Sequence, residues 1–162
     1  ALLEASFIPF KFNFRGVGGS EGEYGEGKDE QEDVSAAIYF VAGDREVDAA
    51  RMGLAGYSAG AAFAFPVGVT DARVKALAAI SLPLNMFDFE AIKNSPKAKC
   101  LIIGSQDDLI PVERFREVCS GMAAPAECTV ISGADHFWQG LEPGLADKVV
   151  AFFTCFLLPE AK

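Results

Sequence analysis

The sequence predicts an α/β fold, a mainly parallel sheet with helices on both faces, and three observations lead there. Short apolar runs of strand character alternate along the whole chain with segments whose apolar residues recur at helical spacing. That alternation implies parallel pairing, because a parallel neighbour is reached only through a crossover. One of the runs stops at a serine with a glycine two residues to either side and passes straight into an apolar helix, and the run CLIIG at 100–104 is four apolar residues bounded by Lys99 and a glycine.

In chain order, residues 7–14 alternate apolar and polar positions with aromatic enrichment and read as a strand, and the glycine-dense run 16–27 reads as loop. Residues 29–42 carry Val34, Ala37, Ile38 and Val41 on one helical face, with acids at the start that suit a helix N-terminus. Residues 52–57 form a short strand ending at Ser58, and 59–65 are small and apolar enough for a buried helix. Residues 74–81 and 100–104 read as strands joined by a connection containing Pro and Phe. Residues 114–122 read as a helix ending near Pro125, 128–131 as a strand, and 145–158 as a closing amphipathic helix stopped by Pro159. In such a sheet ligands bind beyond the carboxyl ends of the strands.

Two domains in 162 residues would leave each half near the lower limit for an independent core, so a single domain over 1–162 is expected. Hydrophobic residues make up 51% and charged residues 23%, a balance that fills an interior and excludes intrinsic disorder. The formal charge of −9 repels phosphate backbones and anionic lipid surfaces, which argues against nucleic acid and membrane partners. The longest apolar stretches, 149–153, 156–158 and 77–80, are far shorter than the roughly 20 residues of a spanning helix. Nothing at the start reads as an export signal, so a cytoplasmic location is expected. The chain opens at Ala1 without an initiating Met, and ALLEASFIPF looks like the end of a helix entering a strand, as in a fragment joined midway.

Cys100, Cys119, Cys128 and Cys155 form no CxxC pair, which argues against zinc and against a thioredoxin-like centre. Each sits in or beside an apolar run, so buried, reduced thiols are expected, with a Cys119–Cys128 bridge as the alternative.

Gly56-Tyr57-Ser58-Ala59-Gly60 fits G-x-S-x-G between an apolar strand and an apolar helix. The turn holds Ser58 in a strained conformation, and Gly56 and Gly60 are read as leaving room for strand and helix to pass. The Ala59 amide then opens a helix and points to where a carbonyl oxygen gains negative charge. A bland alternative is a turn whose hydroxyl merely caps the helix. A serine nucleophile needs a base, and His136 is the only histidine, in a loop just after a predicted strand and so at the same edge as Ser58. An acid must orient the imidazole; Asp107 and Asp108 follow CLIIG, and Asp135 adjoins His136.

The order of these residues, with the loops GYSAG, GSQDDLIP and GADHFW, resembles the α/β-hydrolase superfamily over nearly the whole chain. FNFRGVGGSEGEYGEG at 12–27 is similar to the segment after the fourth strand in small esterase-like and dienelactone-hydrolase-like members. The resemblance selects Asp107, three residues beyond Gly104 and four before Pro111, and leaves Asp108 to solvent. Dienelactone hydrolases proper carry Cys at the nucleophile position, so Ser58 moves the reading toward serine esterases. The resemblance also implies upstream strands, and a loop supplying a second oxyanion amide, that precede this sequence. The fold expected is therefore an N-terminally truncated α/β-hydrolase in which residues 7–14 and 52–57 pair directly, leave a gap, or borrow a strand.

GEYGEGKD at 22–29 approaches a phosphate-binding loop but ends in Asp29 where a metal-binding hydroxyl belongs, and GVGGSE at 16–21 lacks the third glycine of a dinucleotide loop. Arg15 is read as a brace for the glycine loop. Most of the 14 Phe residues are core, while Tyr57, Met86, Phe87 and Trp138, with Phe89 and Phe137 nearby, are candidates to line an acyl or small aromatic ester pocket. The expected function is cleavage of a small-molecule acyl ester, or a thioester or small amide, through an acyl-enzyme without metal or organic cofactor. The competing expectation is an impaired module of the same fold that binds a ligand or partner, its open strand edges favouring a homo-oligomer.

Overall fold

The computed structural model describes residues 1–85 and 90–158. The elements in order are α1 (Asp29–Ala42), β1 (Met52–Tyr57), α2 (Ala59–Thr70), β2 (Val74–Ile80), α3 (Glu90–Asn94), β3 (Ala98–Gly104), α4 (Val112–Ser120), β4 (Ala126–Ile131) and α5 (Glu142–Leu157). The sheet has four strands in the order β1-β2-β3-β4, and every pairing is parallel. Side chains alternate across it. Leu77, Ala79, Leu101 and Ile103 face a core built with α1, α2 and α4, while Ala76, Ala78, Ile80, Cys100 and Ile102 face α5 through Val149, Phe152, Phe153 and Leu157. Helices on both faces explain why β2 and β3 read as nearly unbroken apolar runs.

Two elements differ from expectation. Residues 7–14 are extended but join no ladder. The period-two pattern is real, for Phe10, Phe12 and Phe14 form successive ring contacts that end on Phe40 of α1 and Phe63 of α2. What the pattern lacked was a partner strand. Between this segment and the outer edge of β1 lies an apolar cavity of about 720 Å³, so the outcome is a gap rather than direct pairing. Helix α2 runs past residue 65 through Pro66 to Thr70. Proline forfeits the hydrogen bond to the carbonyl four residues back, but burial of Phe63, Phe65 and Gly68 against the sheet outweighs that loss.

Cysteine pairing is a further correction. Cys119, in the last turn of α4, is bonded to Cys128 on β4 with Cα atoms 6.2 Å apart, and Cys155 is exposed, leaving only Cys100 as the buried thiol expected. The packing of α4 on the edge strand brings together two cysteines that sequence placed in separate elements. For a loop with a separation of nine residues, chain entropy assigns about 2–3 kcal/mol. Reduction with dithiothreitol is therefore expected to lower Tm by roughly 5–10 °C, read by thermal melts of reduced and oxidised protein.

Arg15 does brace the glycine loop. Its Nη2 and Nε reach Asp33 at 2.7 and 3.1 Å, its amide donates to Asp33 at 2.9 Å, and Asp29 and Glu32 lie at 3.3 and 3.5 Å. Buried Glu30 accepts the Gly25 and Gly27 amides at 2.8 and 2.7 Å. The hydrogen bond from Arg15 holds the Asp33 carboxyl below the usual carboxylate range despite its burial. A pKa depressed by folding contributes stability that is complete above the unfolded value, about 4, and is lost as pH falls through the lower folded value. Melts are expected to be steady down to about pH 5 and to fall below about pH 4, with Asp33→Asn removing part of that slope.

Candidate functional site

Strands β1, β2 and β3 are each followed by a serine, at positions 58, 81 and 105. Each serine amide donates to the neighbouring strand, Ser58 to Ile80 at 2.9 Å, Ser81 to Ile102 at 2.8 Å and Ser105 to Ile131 at 2.8 Å. The parallel ladder thus continues one step beyond the strands, and the loops that follow start from one rim.

At Ser58 the backbone turns sharply, with φ 50° and ψ −124°. A Cβ at Gly56 would lie 2.5 Å from the Ala61 Cα, so the turn requires glycine there. Gly60 does not share that constraint: the nearest atom to a Cβ there is Phe14 Cε2 at 3.8 Å. The Ser58 hydroxyl caps no amide of α2, which removes the bland alternative. It lies instead 2.9 Å from His136 Nε2. Ala59 is exposed at the first position of α2, where an amide has no carbonyl of its own helix to bond.

His136 Nδ1 is 2.9 and 3.0 Å from the two carboxylate oxygens of Asp107, whose side chain is wholly enclosed. An ionised carboxylate only accepts, so Nδ1 carries the ring proton and Nε2 presents its lone pair to the Ser58 hydroxyl. The imidazole loop reaches the acid loop by close backbone contact: Gln106 donates its amide to the Ala134 carbonyl at 2.8 Å, and a Cβ at Gly104 would meet that same oxygen at 2.1 Å. The Gly133 amide donates to Ser105 Oγ at 2.9 Å. The Tyr57 hydroxyl donates to the His136 carbonyl at 2.8 Å. Burial first, then the negative charges of Asp107 and Asp135, raise the Tyr57 pKa and keep that donor protonated.

The other acids do not face the imidazole. Asp108 is exposed, and Asp135 accepts the amides of Phe137 and Trp138 at 2.9 Å each, shaping the loop. Trp138, expected to line a substrate pocket, is instead 3% exposed behind the acid, with Nε1 donating to Ser81 Oγ at 3.1 Å. Among the described residues, Tyr57 and Phe137 are exposed aromatics whose rings lie 5.6 Å from that of His136. Met86, Phe87 and Phe89 lie outside the described residues. Sequence reasoning missed Ser81, which is fully buried and donates to Asp107 Oδ2 at 2.8 Å. Its signal was a polar residue closing an apolar strand at the same relative position as Ser58.

Chemically, the arrangement offers a hydroxyl whose proton can pass to an oriented imidazole, beside the amides that open a helix. Among the described residues no group of three or more His, Cys, Asp or Glu is placed to hold a metal ion, and no helix is long and apolar enough to cross a membrane.

Comparison with known proteins adds four findings. The family model described as the dienelactone hydrolase family matches residues 23–147. An alpha-beta serine hydrolase homologue from Coxiella burnetii is 32% identical, with a TM-score of 0.77 over 86% of this chain and 65% of that one. An esterase of Pyrococcus furiosus, 20% identical, shares the fold with a TM-score of 0.85 over 96% of this chain and 72% of its own. An uncharacterized protein of Rickettsia prowazekii is 25% identical over 146 residues, 85% of this chain and 61% of that protein. The chain therefore spans under two thirds of the Coxiella and Rickettsia relatives.

Proposed function

The chain belongs to the dienelactone hydrolase family, and from that premise we propose that it is a serine hydrolase cleaving carboxylic esters through an acyl-enzyme. The carrying observation is the hydrogen-bonded series Ser58, His136, Asp107 at the carboxyl rim of a parallel sheet. Ser58 Oγ attacks the ester carbonyl while its proton passes to His136 Nε2, and Asp107 stabilises the imidazolium. The Ala59 amide, with a second donor, holds the oxyanion. Collapse breaks the carbon–oxygen bond to the alcohol, which leaves with the proton from Nε2. Water then attacks the acyl-enzyme with His136 as base, releasing the carboxylic acid and restoring Ser58. Thioesters and small amides fall to the same steps, and none calls for a metal or organic cofactor.

The test is turnover of p-nitrophenyl butyrate together with covalent labelling of Ser58 by a fluorophosphonate. Both are expected; absence of labelling sinks the proposal. A second reading, an impaired module that associates through its open sheet edge, is favoured by the gap beside β1. It predicts labelling without turnover and a homo-oligomer in light scattering. A cytoplasmic location belongs to the first reading, although the Cys119–Cys128 bridge of the structure speaks against it. The state of the two cysteines in cells decides, free thiols supporting that location and a bridge placing the chain in an oxidising compartment.

A further inference from the structure

We propose that Ser81 and Trp138 are positioning residues that fix the Asp107 carboxylate, and through it the tautomer and orientation of His136. The inference rests on the reading of Ser58, His136 and Asp107 given above and assigns a role to two side chains outside it. Asp107 Oδ2 lies 2.8 Å from Ser81 Oγ, which lies 3.1 Å from Trp138 Nε1. An indole N–H can only donate, so the serine oxygen accepts there and its own proton is directed at Asp107. Leu109 donates its amide to the other carboxylate oxygen at 3.0 Å. The carboxyl is thus gripped at both oxygens, which lie 3.0 and 2.9 Å from Nδ1.

Backbone conformation points the same way. Of the five non-glycine residues with positive φ among those described, three belong to this one network: Ser58 at 50°, Ser81 at 47° and Trp138 at 62°. Such conformations persist only where the surroundings over-determine them, and they gather at functional sites. At φ 47° glycine is the less strained residue, so a turn after β2 does not by itself call for serine. The hydroxyl is what glycine lacks. Both side chains are enclosed, Ser81 at 0% and Trp138 at 3% exposure, so neither reaches a substrate and both act through Asp107.

Because His136 is the only histidine, its ring nitrogens give a single pair of ¹⁵N signals. In the wild-type protein, with the ring neutral, one protonated and one bare nitrogen are expected, well separated. In Ser81→Ala and Ser81→Gly the two signals are expected to draw together as the ring samples both tautomers, and fluorophosphonate labelling of Ser58 to slow about tenfold. Ser81→Gly relieves the left-handed backbone and is expected to melt at or above Ser81→Ala, so a loss common to both belongs to the hydroxyl and not to the turn. Trp138→Phe is expected to shift the signals less in the wild-type background and not at all in Ser81→Ala. Ring signals unchanged in both Ser81 variants overturn the inference. A wild-type protein with separated ring signals but no labelling at Ser58 sinks the hydrolase reading, while the variants' ring signals still decide this one.

Discussion

Ser58→Ala is expected to end fluorophosphonate labelling and to lower p-nitrophenyl ester turnover by about 10⁶-fold, the loss seen when a serine hydrolase loses its nucleophile. The geometry gives the reason. Among the described residues the only side-chain bond of Ser58 is to His136 Nε2 at 2.9 Å, so the variant leaves a base with nothing to deprotonate except water. The fold is expected to survive, because the turn is held by backbone bonds: Ser58 donates its amide to Ile80, and its carbonyl accepts from Ala61 and Ala62. A melting temperature near wild type beside lost labelling therefore assigns the effect to chemistry. Labelling that persists on another residue refutes the nucleophile assignment.

Asp107→Asn is expected to lower turnover by about 10⁴-fold with the fold retained. The amide replaces one acceptor oxygen with a donor of nearly equal size. If that NH₂ faces His136, the imidazole must accept at Nδ1 and carry its proton on Nε2, where it confronts the Ser58 hydroxyl and can no longer take a proton from it. The amide oxygen can still accept from Ser81 or from the Leu109 amide, which keeps the loop in place. The KM for ester is expected to stay within about threefold while kcat falls, since Asp107 is enclosed and meets no substrate. A variant with kcat near wild type means that another acid orients His136. Asp108 and Asp135 are the adjacent candidates, and both are exposed.

Much of this architecture was legible because burial writes itself into periodicity. Helix α1 and strand β1 have the bounds their apolar spacing predicts, 29–42 and 52–57. The three side chains of the site could be placed because each follows a strand in an all-parallel sheet, where carboxyl ends share one rim. The choice of Asp107 over its neighbour came from family resemblance, since adjacent carboxylates carry no local sign of which one turns inward. Residues 7–14 show the limit of periodicity: alternation reports an extended chain with two unlike faces, and says nothing about whether a hydrogen-bonding neighbour exists. Trp138 was misplaced because proximity to His136 in sequence says nothing about direction. A backbone at φ 62° turns the indole inward to Ser81. Gly60 was read as sterically necessary by analogy with Gly56, yet only the approach of Ala61 to Gly56 is close enough to forbid a side chain.

The amides of Ser58, Ser81 and Ser105 each bond to the adjoining strand, and the imidazole loop is tied to the last of these turns through Ser105 Oγ and the Gln106 amide. The reacting groups are consequently anchored to the strand ends, so that helices away from this rim can loosen without moving them. Heat inactivation should then track collapse of the sheet itself, with residual activity and the tertiary circular-dichroism signal vanishing over the same few degrees.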